Sequence, residues 1–307
     1  MNRGTLIGAA AYTLWGFFPL YLRTLSEVSA WQITAHRVVW SCALLLTLSA
    51  LRALRAGTGV LRALRAVRGR QGLAIFLGMA LLLGMNWLTF VWAVNSGRAV
   101  EASLGYFINP LVNVLLGMFF LGERLRRGQW LAVGLAAAGV VYLTVRFGSP
   151  PWVALVLAVS FAFYGLLKKR SPLAALPGLT LETALMLPAA LAFLGWTQLN
   201  GTGAFGHSGM PIDLLLAGTG AVTAAPLLLF ALAAKTVPLS TLGLLQYISP
   251  SIQFVIGVLL FAEPFTAARA VGYILTWLAL IVFTLDGLRE RGRAARRKPE
   301  PAAKISI

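Results

Sequence analysis

The chain is short of charge, and above all of negative charge. Of 307 residues only 9 are aspartate or glutamate, against 26 lysines and arginines, and charged residues of both signs make up 11%. A water-soluble domain carries about 25%, so an ordinary soluble fold is excluded. The single cysteine, Cys42, permits no internal disulfide and leaves the redox compartment unmarked. The two histidines, His36 and His207, have no companions at metal-ligand spacing, so no metal site is expected. No G-x-x-x-x-G-K-S/T loop is present, which argues against a directly bound nucleoside triphosphate. No nucleophile-and-base set can be read either, so neither an enzyme nor a cofactor is expected.

What fills the chain is apolar: 59% of residues are hydrophobic. Ten apolar stretches of near or above about 18 residues follow one another, the signature of membrane-crossing helices. They lie at roughly 4–22, 33–51, 72–95, 101–121, 128–146, 151–167, 179–196, 212–235, 240–262 and 267–287. The expected fold class is therefore all-α and integral to the membrane, with ten transmembrane helices. The first stretch is too long for a cleavable leader and no small-residue cleavage site follows it, so it is read as helix one.

The net charge of +17 raises nucleic acid as a partner, but its distribution argues for a membrane. With the N-terminus placed in the cytoplasm, 21 of the 26 basic residues fall inside; Arg23, Arg98, Arg146 and Arg269 fall outside, and Arg37 lies within a span. Such asymmetry is the positive-inside rule, and it predicts both termini in the cytoplasm. The segment Leu51–Arg70 alternates arginine with leucine at helical spacing. It is read as a topology-setting loop, or as an interfacial helix on anionic lipid. The basic tail from Arg289 onward is expected to be disordered.

One segment occurs twice. SLGYFINPLVNVLLGMFFLGE (Ser103–Glu123) returns 140 residues later as GLLQYISPSIQFVIGVLLFAE (Gly243–Glu263), with 5 of 21 positions identical, among them Pro110/Pro250, Gly117/Gly257 and Glu123/Glu263. Gly78 and Phe90 match Gly218 and Phe230 at the same offset, and Tyr12-x-x-Trp15-Gly16 is echoed by Phe161-x-x-Tyr164-Gly165. The chain thus divides into a first repeat over 1–147, a second over 148–288 and a tail over 289–307. Five helices per repeat is an odd number, so the second copy must enter the membrane from the opposite side. Inverted repeats of this kind place a substrate site near the midplane between the halves.

The repeated prolines predict paired kinks. Pro110 removes the helical partner of the Tyr106 carbonyl, and Pro250 that of Gln246. Inside a membrane such carbonyls need protein, water or ligand. Asn109 and Ser249 stand beside the breaks, with Asn113 and Gln253 one turn on. The reading is a pair of kinked helices lining a polar cavity; the alternative is ordinary kinks repaired by neighbours. Arg37, about a turn from the outer end of the second span, is the clearest charged candidate at membrane depth, an anchor for an anionic group or a gate, unless it snorkels to the interface. Glu182 is a candidate partner for it. Tyr12 and Trp15 on helix one, Asn86 and Trp87 on helix three, and Tyr164 on helix six add aromatic walls and an amide, which suit a flat or cationic solute. Gly4-x-x-x-Gly8 reads as helix packing. Glu123 and Glu263 read as solvated end residues.

Tyr12-Thr-Leu-Trp15-Gly16, His36-Arg37-Val-Val-Trp40-Ser41 and the stretch from Pro238 to Phe265 resemble the RarD branch of the EamA family, in the drug/metabolite transporter superfamily. The resemblance runs from helix one to helix ten. It implies an inner-membrane permease with two repeats around a central cavity, whose substrate is a small molecule; RarD-like proteins are labelled chloramphenicol-sensitive. Superfamily substrates are too diverse for membership to name one. The Arg-rich loop and the tail stand apart from the resemblance. A homodimer is one arrangement open to such a permease, and a lipid head-group flippase of the same fold is the alternative function.

Overall fold

The computed structural model describes residues 3–56, 70–96, 98–148, 150–260 and 267–296. Among them every regular element is a helix. In chain order these are α1 (Arg3–Arg23), α2 (Ala30–Ala56), α3 (Arg70–Asn95), α4 (Ala99–Leu121), α5 (Arg127–Phe147), α6 (Trp152–Arg170), α7 (Ala175–Leu199), α8 (Met210–Thr236), α9 (Leu239–Leu245), α10 (Ile248–Leu260) and α11 (Ala267–Arg296). Ten of the resulting segments are long and apolar enough to cross a membrane, with α9 and α10 making one span between them. A lipid-immersed backbone must satisfy its own polar groups, and the helix does so within one segment. Left-handed glycines end two of them: Gly122 (φ 64°) closes α4 and Gly148 (φ 77°) closes α5.

Several helices outrun the apolar stretches that announce them. Backbone hydrogen bonding does not stop where hydrocarbon stops, and α11 continues through Arg289–Arg296, where arginines, alanines and a glutamate favour helix despite Gly292. The expected disorder from Arg289 onward therefore does not hold for 289–296, and 297–307 lie outside the described residues. Residues 57–69 of the Arg-rich segment, Glu263 and the last residues of the tail lie outside the described residues.

The helices pack in a pattern that survives exchange of the chain's halves. The principal contacts are α4 with α6, α1 with α10, α3 with α6, α1 with α8, α2 with α8 and α3 with α7. Spans two and seven, four and nine, and five and ten also meet. Replacing each span by the one five places along turns every pair in this set either into another member of it or, for these last three, into itself.

Small residues set the closest crossings, as expected where lipid supplies no hydrophobic drive and packing must supply the attraction. At the α2–α8 crossing a Cβ on Gly220 would stand 2.5 Å from the Trp40 carbonyl carbon and 2.6 Å from its oxygen. The Ser41 hydroxyl donates to the Gly220 carbonyl at 3.1 Å. Backbone cannot step aside as a side-chain tip can. Gly220→Ala is therefore expected to cost about 1–3 kcal/mol, read as a lower melting temperature in detergent; an unchanged Tm would show that the crossing is looser than described. Gly4 and Gly8 likewise face α8 and α9, against Thr236 and Leu242, so packing is their use.

The two repeated prolines do not behave alike. α4 runs unbroken through Pro110, whereas span nine is interrupted at Gln246 and Tyr247, before Pro250. The Gln246 carbonyl accepts from the Ser249 N–H at 3.0 Å, so the partner lost to Pro250 is replaced by a tighter local turn. One continuous helix thus faces one broken one. Gly243 sits where they touch, with its missing Cβ 2.7 Å from the Pro110 carbonyl oxygen.

Candidate functional site

A cavity of about 130 Å³ lies in the middle of the bundle, in the half away from the chain termini. At about 30 Å³ for each water in the liquid, that volume has room for roughly four water molecules. Tyr12, Trp15 and Phe18 approach it from α1 and Arg37 from α2. Asn86, Trp87 and Phe90 come from α3, and Tyr106 and Asn109 from α4. Phe161 of α6 and Leu227 of α8 add apolar wall, and span nine contributes Gln246 at its break, then Ser249 and Gln253 from α10.

Both halves of the chain therefore meet at one space, and eight sequence-derived candidates face it: Tyr12, Trp15, Arg37, Asn86, Tyr106, Asn109, Gln246 and Ser249. Pro110 and Pro250 are buried outside the lining. Tyr164 is also a correction. It is fully buried, its hydroxyl donates to Glu182 at 3.0 Å, and its ring stacks on Phe230 with centroids 6.2 Å apart. Phe161 is tilted against both Tyr164 and Phe230, and Trp15 meets Phe161 edge to face and tilts against Phe230. These rings form an aromatic floor beneath the cavity, on the side of the termini.

The amides in the wall tie spans together as well as line space. Asn86 donates to the Leu157 carbonyl and the Ser160 hydroxyl at 2.9 and 3.0 Å, joining α3 to α6. Asn109 donates to the Ala158 carbonyl at 2.6 Å. Asn113 donates to the side-chain Oδ1 of Asn109 at 2.9 Å and reaches the side-chain Oε1 of Gln246 at 3.4 Å, linking α4 to the break in span nine. Gln253 donates to the Trp15 carbonyl at 3.1 Å and to the Ser249 hydroxyl at 3.3 Å. The Tyr12 hydroxyl, by contrast, is buried with no hydrogen-bond partner among the described residues.

Arg37 is placed at the wall rather than at an interface. Its Nε donates to the Thr223 hydroxyl at 3.0 Å, and its guanidinium lies 4.4 Å from the Trp87 ring centre and 4.9 Å from that of Phe18. Glu182 is not its partner. That carboxylate is fully buried, accepting from Lys168 Nζ at 2.6 Å as well as from Tyr164. Lys168 is one helical turn beyond Tyr164 on the same face, which sequence spacing could have signalled; Thr223, on α8, had no such signal.

Below the aromatic floor the end of the bundle nearer the termini is held shut by polar contacts. Glu123 accepts from the backbone N–H groups of Leu239 and Ser240 at 2.6 and 2.9 Å, and from the Ser240 hydroxyl at 2.7 Å. This corrects its reading as a solvated end residue. A carboxylate at a helix start meets unpaired N–H groups there, and the start of α9 supplies them. Arg170 donates to the Phe120 carbonyl, Lys169 to that of Val237 at 2.6 Å, and Lys235 to that of Ser171.

The profile of the EamA-like transporter family matches residues 2–145. A transporter of Vibrio cholerae, described as uncharacterized, is 48% identical over 297 residues, covering 96% of each chain. Protein RarD of Escherichia coli is 42% identical over 295 residues, covering 96% of this chain and 98% of its own. The chain belongs to the EamA-like transporter family. Protein RarD of Streptomyces exfoliatus, 46% identical over 301 residues, covers 98% of this chain and 93% of its own. An EamA-like chain with ten apolar helices is a multi-pass membrane transporter. A solved crystal structure at 22% identity, covering 92% of this chain and 97% of its own, shares the fold with a TM-score of 0.67.

Proposed function

We propose that this chain is a secondary transporter that carries a small organic solute across the bacterial inner membrane by alternating access between two inverted five-span repeats. The observation that carries the reading is the convergence of Trp15, Asn86 and Tyr106 from one half, and Phe161, Gln246 and Ser249 from the other, on a single enclosed space. Sites between opposed repeats at mid-depth are the usual arrangement in such carriers. The packing pattern that survives exchange of halves supports the two repeats, over 1–147 and 148–288. The positive-inside count supports cytoplasmic termini. In that orientation the cavity occupies the outer half of the bundle and the Glu123 contacts close the cytoplasmic half.

The test is uptake into proteoliposomes of the purified chain, screening amino acids, amines and chloramphenicol. Trp15→Ala and Gln246→Ala are expected to cut saturable uptake at least tenfold in protein that still shows a cooperative melt, while a change at Leu115, exposed on the outer face of α4, leaves it untouched. Wild-type rates in both cavity variants would sink the reading. A second reading, lipid head-group flipping, is favoured by one feature. Trp87 lines both the central cavity and an apolar groove of about 900 Å³ between α2, α3 and α7, where Leu81 and Leu88 are exposed. Transport that requires lipid substrate and ignores soluble solutes would move the assignment there.

A further inference from the structure

We infer that the central cavity selects a small organic monoanion with a flat apolar body, and that Arg37 is the residue that reads its charge. This rests on the carrier reading above and narrows it to a substrate class.

Among the described residues, Arg37 is the one charged side chain in the wall. Its neighbours orient it without neutralising it. Thr223 takes the Nε proton, and Trp87 and Phe18 hold the guanidinium through their ring faces. The remaining N–H groups of its fork have no carboxylate among the described residues. Nor is one in reserve. Glu182 is engaged by Lys168 and Tyr164, Glu101 by the Val153 N–H and Arg98, and Glu123 by the start of α9. Asp213 accepts from the Gly206 N–H and Asp286 pairs with Arg126, while Glu27 is exposed on the α1–α2 connection, outside the cavity lining. A guanidinium in a largely apolar enclosure without a counter-ion attracts an anion strongly, and a planar carboxylate matches its fork.

The same inventory excludes other charges. A cation would meet Arg37 with no acidic residue in the lining to offset the repulsion, so of the flat or cationic solutes that an aromatic wall suits, the inference takes the flat one. A zwitterion could place its carboxylate on Arg37, but the wall offers its ammonium only neutral oxygens. Discrimination of this sort comes as much from the missing partner as from the present one. The rings of Trp15, Tyr106 and Phe161 suit a flat body, and the volume is close to that of a cavity that takes a single benzene ring.

The experiment is calorimetric titration of the full-length protein in detergent with four probes of matched skeleton: 3-phenylpropanoate, phenylalanine, 3-phenylpropanamide and 3-phenylpropylamine. The wild type is expected to bind the propanoate at least tenfold more tightly than any of the other three. Arg37→Gln should bring propanoate and amide to within about threefold of each other, and Arg37→Lys should keep the order with a smaller gap. An amine or amide preferred by the wild type overturns the inference while leaving the carrier reading in place, as does an anion preference that survives Arg37→Gln. If the Arg37 variants fail to fold, the wild-type charge series decides alone. Binding of none of the four, with no uptake in the proteoliposome screen, overturns the carrier reading and this inference together.

Discussion

Glu182→Ala is expected to lower stability by about 3–5 kcal/mol, the usual result of removing one partner of a buried ion pair. Lys168 and Glu182 are 2% and 0% exposed, 2.6 Å apart. With the carboxylate gone, the ammonium keeps its desolvation penalty and has only the Tyr164 ring, 5.6 Å away, for company. At roughly 2–4 °C per kcal/mol for a chain of this size, thermal unfolding in detergent should fall by about 10 °C or more. The double variant Lys168→Met/Glu182→Leu is the informative control. It removes both charges while keeping volume, and buried pairs so replaced are often neutral in stability. Its Tm should lie closer to wild type than that of Glu182→Ala, which makes the two effects strongly non-additive. Two single variants each within a couple of degrees of wild type would show that water reaches the pair.

That pair also marks where sequence reading stopped. Apolar length and the distribution of arginine made ten spans legible, since hydrocarbon imposes both signals on any crossing helix. The repeat made Tyr106, Asn109, Gln246 and Ser249 legible as neighbours, because a proline with a polar residue beside it stands out against an apolar background. Tyr164 was misplaced for an instructive reason. It lies at the motif position equivalent to Trp15, yet the charge pair on its own turn draws its hydroxyl away from the cavity. A repeat equates positions, and side-chain partners then break the equivalence. Pro110 and Pro250 diverge for a similar reason: Ser249 gives its N–H to the Gln246 carbonyl and turns the chain, while α4 continues. Partners between distant spans, such as Thr223 for Arg37 or Ser240 for Glu123, depend on rotation and depth, which no spacing in the chain encodes.

The largest functional shift is expected from Glu123→Ala. The Glu123 carboxylate joins the end of α4 to the start of α9 through two backbone N–H groups and one hydroxyl, so it ties one half of the chain to the other on the face that bears the termini. On the alternating-access proposal, opening that face must break all three bonds. Hydrogen bonds to a charged acceptor contribute about 1.5–3 kcal/mol each when buried; Glu123 is partly exposed, so their sum is discounted to about 2 kcal/mol for screening. Removing them should move the balance between the two conformations by roughly 30-fold toward opening at the terminal face. A cavity reporter makes this measurable: Ser249→Cys in a Cys42→Ala background, labelled in vesicles with a membrane-impermeant maleimide supplied from one side. Glu123→Ala should raise labelling from the terminal side at least tenfold and lower it from the other. Glu123→Gln, which retains an acceptor oxygen but no charge, should fall between. An unchanged ratio of labelling from the two sides would mean that the contact joins α4 and α9 in every conformation, and that the gate lies elsewhere.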